Sequence, residues 1–329
     1  MTRPPRLIPA LLALVACLFA VSLLVGPAGI PPGRGLMALL TGQGGAEVLV
    51  MREIRLPRAI LGLAIGAALG LAGAAMQGFL RNPLAEPGLI GTSAAAALGA
   101  VLAIHSGLYA GFALALPLMA LAGAGLSVGV ILALAGPRGT ALSLILAGIA
   151  VSSLAGALTS LVLNLAPNPY AASEIVFWMM GSLADRSMLH VALALPFLAA
   201  GAALIGTTGR GLDALTLGED AAASLGISLT RLRLKLVLGV AALVGASVAV
   251  AGAVGFVGLV APHLMRGAVG ARPSRLLPAA ALTGAAILLA ADIATRVVAP
   301  ERDLKLGVLT ALVGAPFFLH LVRRMAREA

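Results

Sequence analysis

The chain has 329 residues and a formal net charge of +10; 60% of its residues are apolar and only 10% are charged. Because soluble domains carry about 25% charged residues, this composition excludes them and predicts a single all-α domain, residues 1–329, that crosses a membrane many times. Nucleic-acid binding is excluded as well, since one Trp and two Tyr are too few to stack bases between the basic residues.

Apolar runs bounded by Gly, Pro and charged residues predict ten spanning helices. The first run contains the lone cysteine, Cys17, and it continues beyond that residue, which favours an uncleaved span over a lipoprotein signal. A Gly- and Pro-rich loop, 26–58, follows it, and the turn at 82–88 is placed in the cytoplasm. The predicted spans are 7–25, 59–80, 89–105, 112–134, 142–165, 189–205, 232–250, 256–269, 277–293 and 306–322.

The distribution of basic residues predicts the orientation. Fourteen of the 22 lysines and arginines fall in segments that this map places inside, including 2–6, 136–139 and the C-terminal Arg323, Arg324 and Arg327. Basic residues resist translocation, so both termini are predicted to be cytoplasmic. The outer side, with its turn at 300–305, still keeps several arginines, which indicates that something outside favours positive charge.

A pattern of small residues recurs with identical spacing: Gly66-Ala67, Ala72-Gly73-Ala74 and Pro83 return as Gly245-Ala246, Ala251-Gly252-Ala253 and Pro262. The two copies begin on opposite sides of the membrane, which predicts an inverted repeat with halves 55–170 and 231–322. Chance similarity among abundant small residues is the alternative.

Gly62, Gly66 and Gly70 lie four residues apart and therefore on one helix face. Small residues at this spacing allow another backbone to approach closely. The partner is either a helix of the same chain or a helix of a second subunit.

The segment 210–230 is the richest polar feature between the predicted spans. It predicts two short helices with a break at Gly218, acidic residues at the start of the second helix, and Gly226 at its end. Apolar Leu215, Leu217 and Leu225 have no membrane to enter here, which predicts docking into a partner's groove rather than a solvated loop.

No catalytic chemistry is predicted. The four histidines (His105, His190, His263 and His320) lie far apart in sequence, which argues against a metal site, and no nucleophile motif or phosphate-binding loop is present. Only Asp292 approaches the interior of a span. A proton-coupled secondary carrier, the alternative function, would need a chain of such carboxylates.

Five motifs, in this order, resemble the FecCD-type permeases, the membrane subunits of ABC importers for iron-siderophores, haem and cobalamin. The motifs are Arg55-Leu56-Pro57-Arg58, RNPLAEPGLIG at 81–91, FWMMGSL at 177–183, Leu217-Gly218-Glu219, and GFVGLVAPHLMR at 255–266. The resemblance covers nearly the whole chain.

The resemblance implies a permease dimer, here a homodimer, in the lipid of the bacterial inner membrane. It further implies two partner ATPase subunits, which bind ATP and Mg, and a periplasmic protein that delivers the substrate. The chain itself would need no cofactor. Its cargo would be a metal chelate, and the Glu86-Pro87-Gly88 form of the turn favours haem or cobalamin over a siderophore.

The resemblance also implies roles for individual residues. Docking of the binding protein is assigned to Arg55, Arg58 and Arg296, and a local pair of Arg296 with Asp292 one turn earlier is compatible with it. ATPase coupling is assigned to Leu212, Leu215, Leu217, Gly218, Glu219, Asp220, Leu225 and Gly226, and the substrate path to Asn164, Trp178, Met179 and Met180.

Overall fold

The computed structural model of this protein describes residues 6–136, 139–298 and 304–328, with side chains described up to residue 323. The predictions for residues 2–5, 137–138 and 299–303 and for the side chains of Arg324 and Arg327 lie outside these ranges. The α-helices are α1 (Leu7–Leu24), α2 (Pro32–Thr41), α3 (Ala46–Leu49), α4 (Leu56–Leu80), α5 (Thr92–His105), α6 (Leu108–Gly111), α7 (Ala115–Ala135), α8 (Ala141–Asn164), α9 (Pro169–Met179), α10 (Met188–Gly206), α11 (Gly209–Leu215), α12 (Glu219–Ser224), α13 (Leu229–Ala251), α14 (Val257–Val269), α15 (Pro273–Val298) and α16 (Leu306–Glu328).

The predicted all-α membrane fold is confirmed, and each predicted span corresponds to a helix. Among the described residues, eight helices are long and apolar enough to cross a membrane. These are α1, α4 with the turns before it, α7, α8, α10, α13, α15 and α16. We call the end of the bundle where α4 ends and α13 begins the inner end, and the opposite end, where α1 ends, the outer end.

The remaining two apolar helices, α5 and α14, are too short to cross alone. They have 14 and 13 residues, which correspond to about 20 Å against a hydrocarbon core of about 30 Å. The third predicted span therefore starts too early: a 3-10 turn, Pro87–Ile90, occupies its first residues.

The sequence predicted a turn at 82–88 that lies wholly outside the bundle, but the end of this turn lies against the middle of α4. A β-carbon built at Gly258 would lie 2.6 Å from Pro87 Cγ and 3.1 Å from Leu69 O. Leu69 lies in the middle of α4, about 16 Å before its end at 1.5 Å per residue. After α4 ends, the chain therefore folds back along it to the middle of the bundle, where α5 begins.

Two predicted loops are partly helical. The 26–58 segment contains α2, α3 and a π-helical turn, Val50–Arg55, that runs directly into α4. At the inner end, α15 begins at Pro273 rather than at residue 277. A proline in the first turn of a helix lacks only an N–H that would have no partner there, so Pro273 starts this helix instead of interrupting it.

The glycine ladder packs within the chain, against α15. A β-carbon at Gly62 would lie 3.2 Å from Leu289 Cδ2, and one at Gly66 would lie 2.5 Å from Gly284 O and 2.8 Å from Ala285 Cα. Gly70 meets α15 in the same way, at Ala280. On this face α4 and α15 approach backbone to backbone, so it is not a seam between subunits. The two helices and α13 form the buried centre, and the other long helices surround them.

The pattern that predicted an inverted repeat falls in two unlike local structures. Gly73 lies inside α4, whereas its counterpart Gly252 ends α13 in a left-handed conformation, with φ of 70°. Pro83 lies in the turn after α4, but Pro262 lies inside α14. The pattern does not mark equivalent positions, and the halves 55–170 and 231–322 stay a prediction.

The close contact of α4 with α15 predicts that Gly66→Ala destabilises the protein. The new methyl group meets backbone atoms, which cannot turn away as a side chain can, and such overpacking costs about 1–3 kcal/mol. The thermal midpoint of the purified protein in detergent should fall. Gly129→Ala on α7, where nothing lies within 4 Å of the added atom, is the matched control and should leave the midpoint unchanged. Equal midpoints for both variants would contradict the contact.

Candidate functional site

The 210–230 segment at the inner end has the predicted form. Two short helices, α11 and α12, are separated by a break at Gly218, whose φ of 108° and ψ of 161° are accessible only to glycine. Gly226, with φ of 80°, follows α12 in the left-handed conformation that ends helices. The sequence therefore determined this local structure correctly.

The leucines of this segment do not all project from the protein. Leu212 and Leu215 are 0% and 3% exposed, so they anchor α11 on the bundle. Leu217 and Leu225 are 69% and 64% exposed. The prediction that Leu215 projects towards a partner is wrong, because α11 turns that side chain inwards. The exposed apolar surface of the segment consists of Leu217 and Leu225.

Asp213 fastens α11 to the start of α15. Its carboxylate accepts hydrogen bonds from Ser274 N at 2.8 Å, Ser274 Oγ at 2.7 Å and Arg272 Nε at 2.7 Å. Partial burial by itself raises the pKa of Asp213, but these bonds from Ser274 and Arg272 outweigh it and hold the pKa below its usual range. Asp213 is thus ionised at neutral pH, where it accepts from the Ser274 N–H in the first turn of α15.

Two cations on α13 hold neighbouring parts of the inner end. Arg233 Nη2 lies 3.0 Å from Glu219 Oε2 on α12, and Arg233 Nη1 donates to the backbone oxygen of Gly139, just before α8. Lys235 Nζ donates to Thr207 Oγ1, at the end of α10, at 3.1 Å. The 210–230 segment is therefore connected to α13 as well as to α15.

The predicted pair of Asp292 with Arg296 is confirmed, and it is part of a larger cluster at the outer end. Asp292 Oδ2 lies 2.9 Å from Arg296 Nη2, and Asp292 Oδ1 accepts from Arg58 Nε at 2.8 Å. The carboxylate is 1% exposed. One buried anion therefore joins α15 to α4.

Two arginines of the outer end bind the last carbonyl groups of α1. Arg55 Nη1 donates to Leu23 O at 3.0 Å and to Leu24 O at 2.9 Å, while Arg296 Nη1 donates to Ser22 O and Val25 O, both at 2.8 Å. Carbonyls at a helix C-terminus have no partner within the helix and carry partial negative charge, which suits guanidinium groups.

These contacts divide the three arginines predicted to dock a binding protein. Arg55 and Arg296 are buried and are used inside the chain. The side chain of Arg58 is 18% exposed, and within the described part of the chain its hydrogen bonding involves only Nε. Its two terminal amino groups are therefore the ones able to meet a carboxylate from outside.

The four residues predicted to line a substrate path fall into two groups. Asn164 and Met180 are exposed at the outer end. Trp178 and Met179 instead pack against the apolar cluster formed by Val101, Ile104 and Ile175. The first pair can meet a substrate at the surface, whereas the second pair fixes α9 on α5.

Glu86 is a carboxylate inside the bundle that the sequence analysis missed, since Asp292 was expected to be the only one near the interior. Glu86 Oε1 accepts a hydrogen bond from Phe256 N at 3.2 Å, just before α14 begins. It lines a cavity of about 180 Å³ together with Ser93 and Ser247. Glu86 is the only charged residue between 82 and 91. A single carboxylate in a mostly apolar stretch was the sequence signal that could have indicated its interior position.

The histidines occupy separate structural positions. His263 meets the ring of Phe317 edge to face, with centroids 5.5 Å apart. His190 Nδ1 accepts from Ser187 N at 3.3 Å, at the start of α10. Within residues 6–136, 139–298 and 304–323, no three potential ligand side chains come together as a metal site would require.

Comparison with known proteins gives consistent matches over nearly the whole chain. The model of the FecCD transport family matches residues 12–324. The cobalamin import system permease protein BtuC of Halobacterium salinarum is 42% identical over 285 residues, which cover 84% of this chain and 74% of that protein. The ferric enterobactin transport system permease protein FepD of Escherichia coli is 39% identical, covering 97% and 96%.

A solved structure is similar throughout. It is an inward-facing conformation of an ABC transporter assigned to the metal-chelate type, and it matches with a TM-score of 0.85 and 31% sequence identity, over 97% of this chain and 99% of that one. The likeness thus extends from the sequence to the arrangement of the helices.

The cluster around Asp292 predicts that Asp292→Asn is strongly destabilising. The amide cannot neutralise Arg58 and Arg296, and its NH₂ group opposes one of the two donors; removal of one partner from a buried ion pair costs about 3 kcal/mol or more. The yield of folded protein and its thermal midpoint should both fall. Asp220→Asn, at an exposed position, should cost less than about 1 kcal/mol. If Asp292→Asn is as mild as this control, the cluster is not the tie that joins α15 to α4.

Proposed function

The chain belongs to the FecCD transport family, and from this membership we propose that it is the membrane-spanning permease of an ABC importer that carries a metal chelate. Relatives named for cobalamin and ferric enterobactin support this class of cargo, as does the neighbour of the metal-chelate type. Haem, cobalamin and an iron-siderophore are the candidates. Such a permease depends on a partner ATPase for energy.

The observation that carries the proposal is the pair of exposed leucines at the inner end. Leu217 follows α11 and Leu225 follows α12, while Leu212, Leu215 and Asp213 hold α11 on the bundle. We call α11, α12 and these two leucines the knob; its exposed apolar side chains fit a groove in another protein. We assign that groove to each of two ATPase subunits, which bind ATP and Mg, and we place the inner end and both termini in the cytoplasm.

A second copy of the chain is the proposed partner within the membrane. The helices α8 and α16 lie at the periphery and expose apolar side chains such as Leu146, Leu154, Leu312 and Val313. A homodimer would cover part of these faces and leave a path between the copies, with Asn164 and Met180 at its outer mouth. The remaining faces would contact the lipid of the bacterial inner membrane.

The outer end is the proposed docking site of a periplasmic binding protein. Arg58 and Arg296 share one carboxylate there and Arg55 binds carbonyl groups at the same end, so the arginines of this group outnumber its single anion. Arg58 would contact an acidic residue of the binding protein directly. Arg55 and Arg296 would contribute to the potential and keep α1 in place. Charges of this kind act mainly on the rate and the orientation of docking.

The mechanism follows from the two ends. ATP binding and hydrolysis would move the ATPase subunits against the knobs, and the two permeases would then open the path to one side at a time. The alternative, a proton-coupled carrier, needs a chain of ionisable groups across the membrane. Glu86 and Asp292 do not resemble such a chain, because Asp292 is bound by two arginines and Glu86 by the backbone of Phe256.

Uptake in proteoliposomes tests this function. We expect uptake of the chelate to require three components: ATP on the side of the membrane where the ATPase subunits are bound, the ATPase itself, and the binding protein on the opposite side. Leu217→Asp with Leu225→Asp should abolish import and co-purification of the ATPase, because two charges replace the apolar contact. Leu36→Asp with Leu40→Asp, at exposed positions on α2 at the outer end and outside the long apolar helices, is the matched change outside the segment and should leave co-purification intact. Import by the permease alone in a proton gradient would contradict the ABC mechanism.

Docking is tested with Arg58→Ala. Loss of this charge should slow association of the binding protein with the permease complex in nanodiscs by about threefold to tenfold at low salt, and by less at 0.5 M salt, where the interaction is screened. Arg52→Ala removes the same charge from the same end, where Arg52 binds Leu39 O, and serves as the control. Equal association rates for both variants would remove Arg58 from the docking site.

A further inference from the structure

One guanidinium group on α13 contacts two other parts of the chain at the inner end. Arg233 belongs to α13, its Nη2 lies 3.0 Å from Glu219 Oε2 at the start of α12, and its Nη1 donates to Gly139 O. Its side chain is 15% exposed, so the group is largely shielded from water. Glu219 belongs to the knob, whereas Gly139 belongs to the connection between α7 and α8.

Gly139 directly precedes the capped end of α8. Thr140 Oγ1 accepts a hydrogen bond from Ser143 N at 3.2 Å, which fixes the first turn of that helix. Along its length α8 packs on α5, α7 and the 87–90 turn. A displacement of Gly139 therefore acts on the first turn of α8. This peripheral helix carries Asn164 at its other end.

We propose that Arg233 is a positioning residue that transmits movement of the knob to the start of α8. The proposal rests on the proposed function, since the movement originates in the ATPase. When the knob is displaced, Glu219 moves with α12, and the guanidinium transfers the displacement to the backbone at Gly139. The start of α8 then follows the movement of the knob.

The chemistry of arginine suits this role. Its planar guanidinium presents donors in a fixed fork, so one group can bind the carboxylate and the carbonyl at the same time. A lysine has the same charge but a single ammonium group on a flexible stem. Charge alone is therefore insufficient, and Arg233→Lys separates the geometric contribution from the electrostatic one.

The primary test is the number of substrate molecules imported per ATP hydrolysed by the reconstituted complex. Arg233→Ala and Arg233→Lys should retain ATP hydrolysis but lower this ratio on the order of threefold to tenfold, the range of coupling effects of single residues. Glu219→Gln, which keeps the bond to Gly139 and loses the ion pair, should lower it less. Arg231→Ala, an exposed arginine on the same helix, should leave the ratio unchanged.

A ratio unchanged in Arg233→Ala and Arg233→Lys would overturn the proposal. A ratio lowered equally by Arg231→Ala would do the same, because general loss of charge would then explain the effect. If the parent complex shows no ATP-driven uptake, the proposed function has failed instead, and the second measurement decides on Arg233.

The second measurement needs neither transport nor the ATPase. Spin labels are attached at Ala223→Cys on α12 and Leu142→Cys on α8 in the full chain with Cys17→Ser, and their distance distribution is recorded in nanodiscs. Arg233→Ala should broaden the distribution, whereas Arg231→Ala should not. If the parent and Arg233→Ala fold with equal yield and give identical distributions, Arg233 does not connect the two helices.

Discussion

The close approach of α4 and α15 is the contact on which the other features depend. In a membrane, apolar burial gives little preference for one helix partner over another, so helices associate where small residues let their backbones meet. Gly66 and Gly284 provide such a meeting point in the middle of both helices. The same pairing brings Arg58 to Asp292 at the outer end. At the inner end, it fixes the start of α15, to which Asp213 attaches α11.

Polar groups inside the bundle follow a second constraint, since backbone groups away from water need partners from the protein itself. The carbonyls at the end of α1 find theirs in Arg55 and Arg296, and the backbone before α14 finds one in Glu86. Each of these charged side chains therefore supports an interrupted or terminating helix. This is why charged residues deep in the chain do not by themselves indicate a proton pathway.

The two ends of the molecule differ in how firmly they hold their functional surfaces. At the outer end, Asp292 and the carbonyl groups of α1 hold Arg55 and Arg296, and of the three arginines assigned to docking Arg58 is the one that stays partly exposed. At the inner end, each of the two ion pairs that attach α11 and α12 has one partly exposed partner, Arg272 at 57% and Glu219 at 39%. Such bonds are weaker than buried ones and can reorganise. An outer end that keeps its shape and an inner end that can move under a partner ATPase fit the proposed importer.

The sequence by itself determined the positions of the long apolar helices, the two short helices around Gly218 and the ladder of Gly62, Gly66 and Gly70, because hydropathy, helix period and glycine conformation are local properties. Tertiary structure alone decided that the ladder faces α15, that Leu215 points inwards and that Arg296 binds α1 as well as Asp292. It also carried Glu86 back to the middle of the bundle. Those outcomes depend on which segments meet in space, and residues far apart in the chain, such as Ser22 and Arg296, leave no periodic signal of their contact.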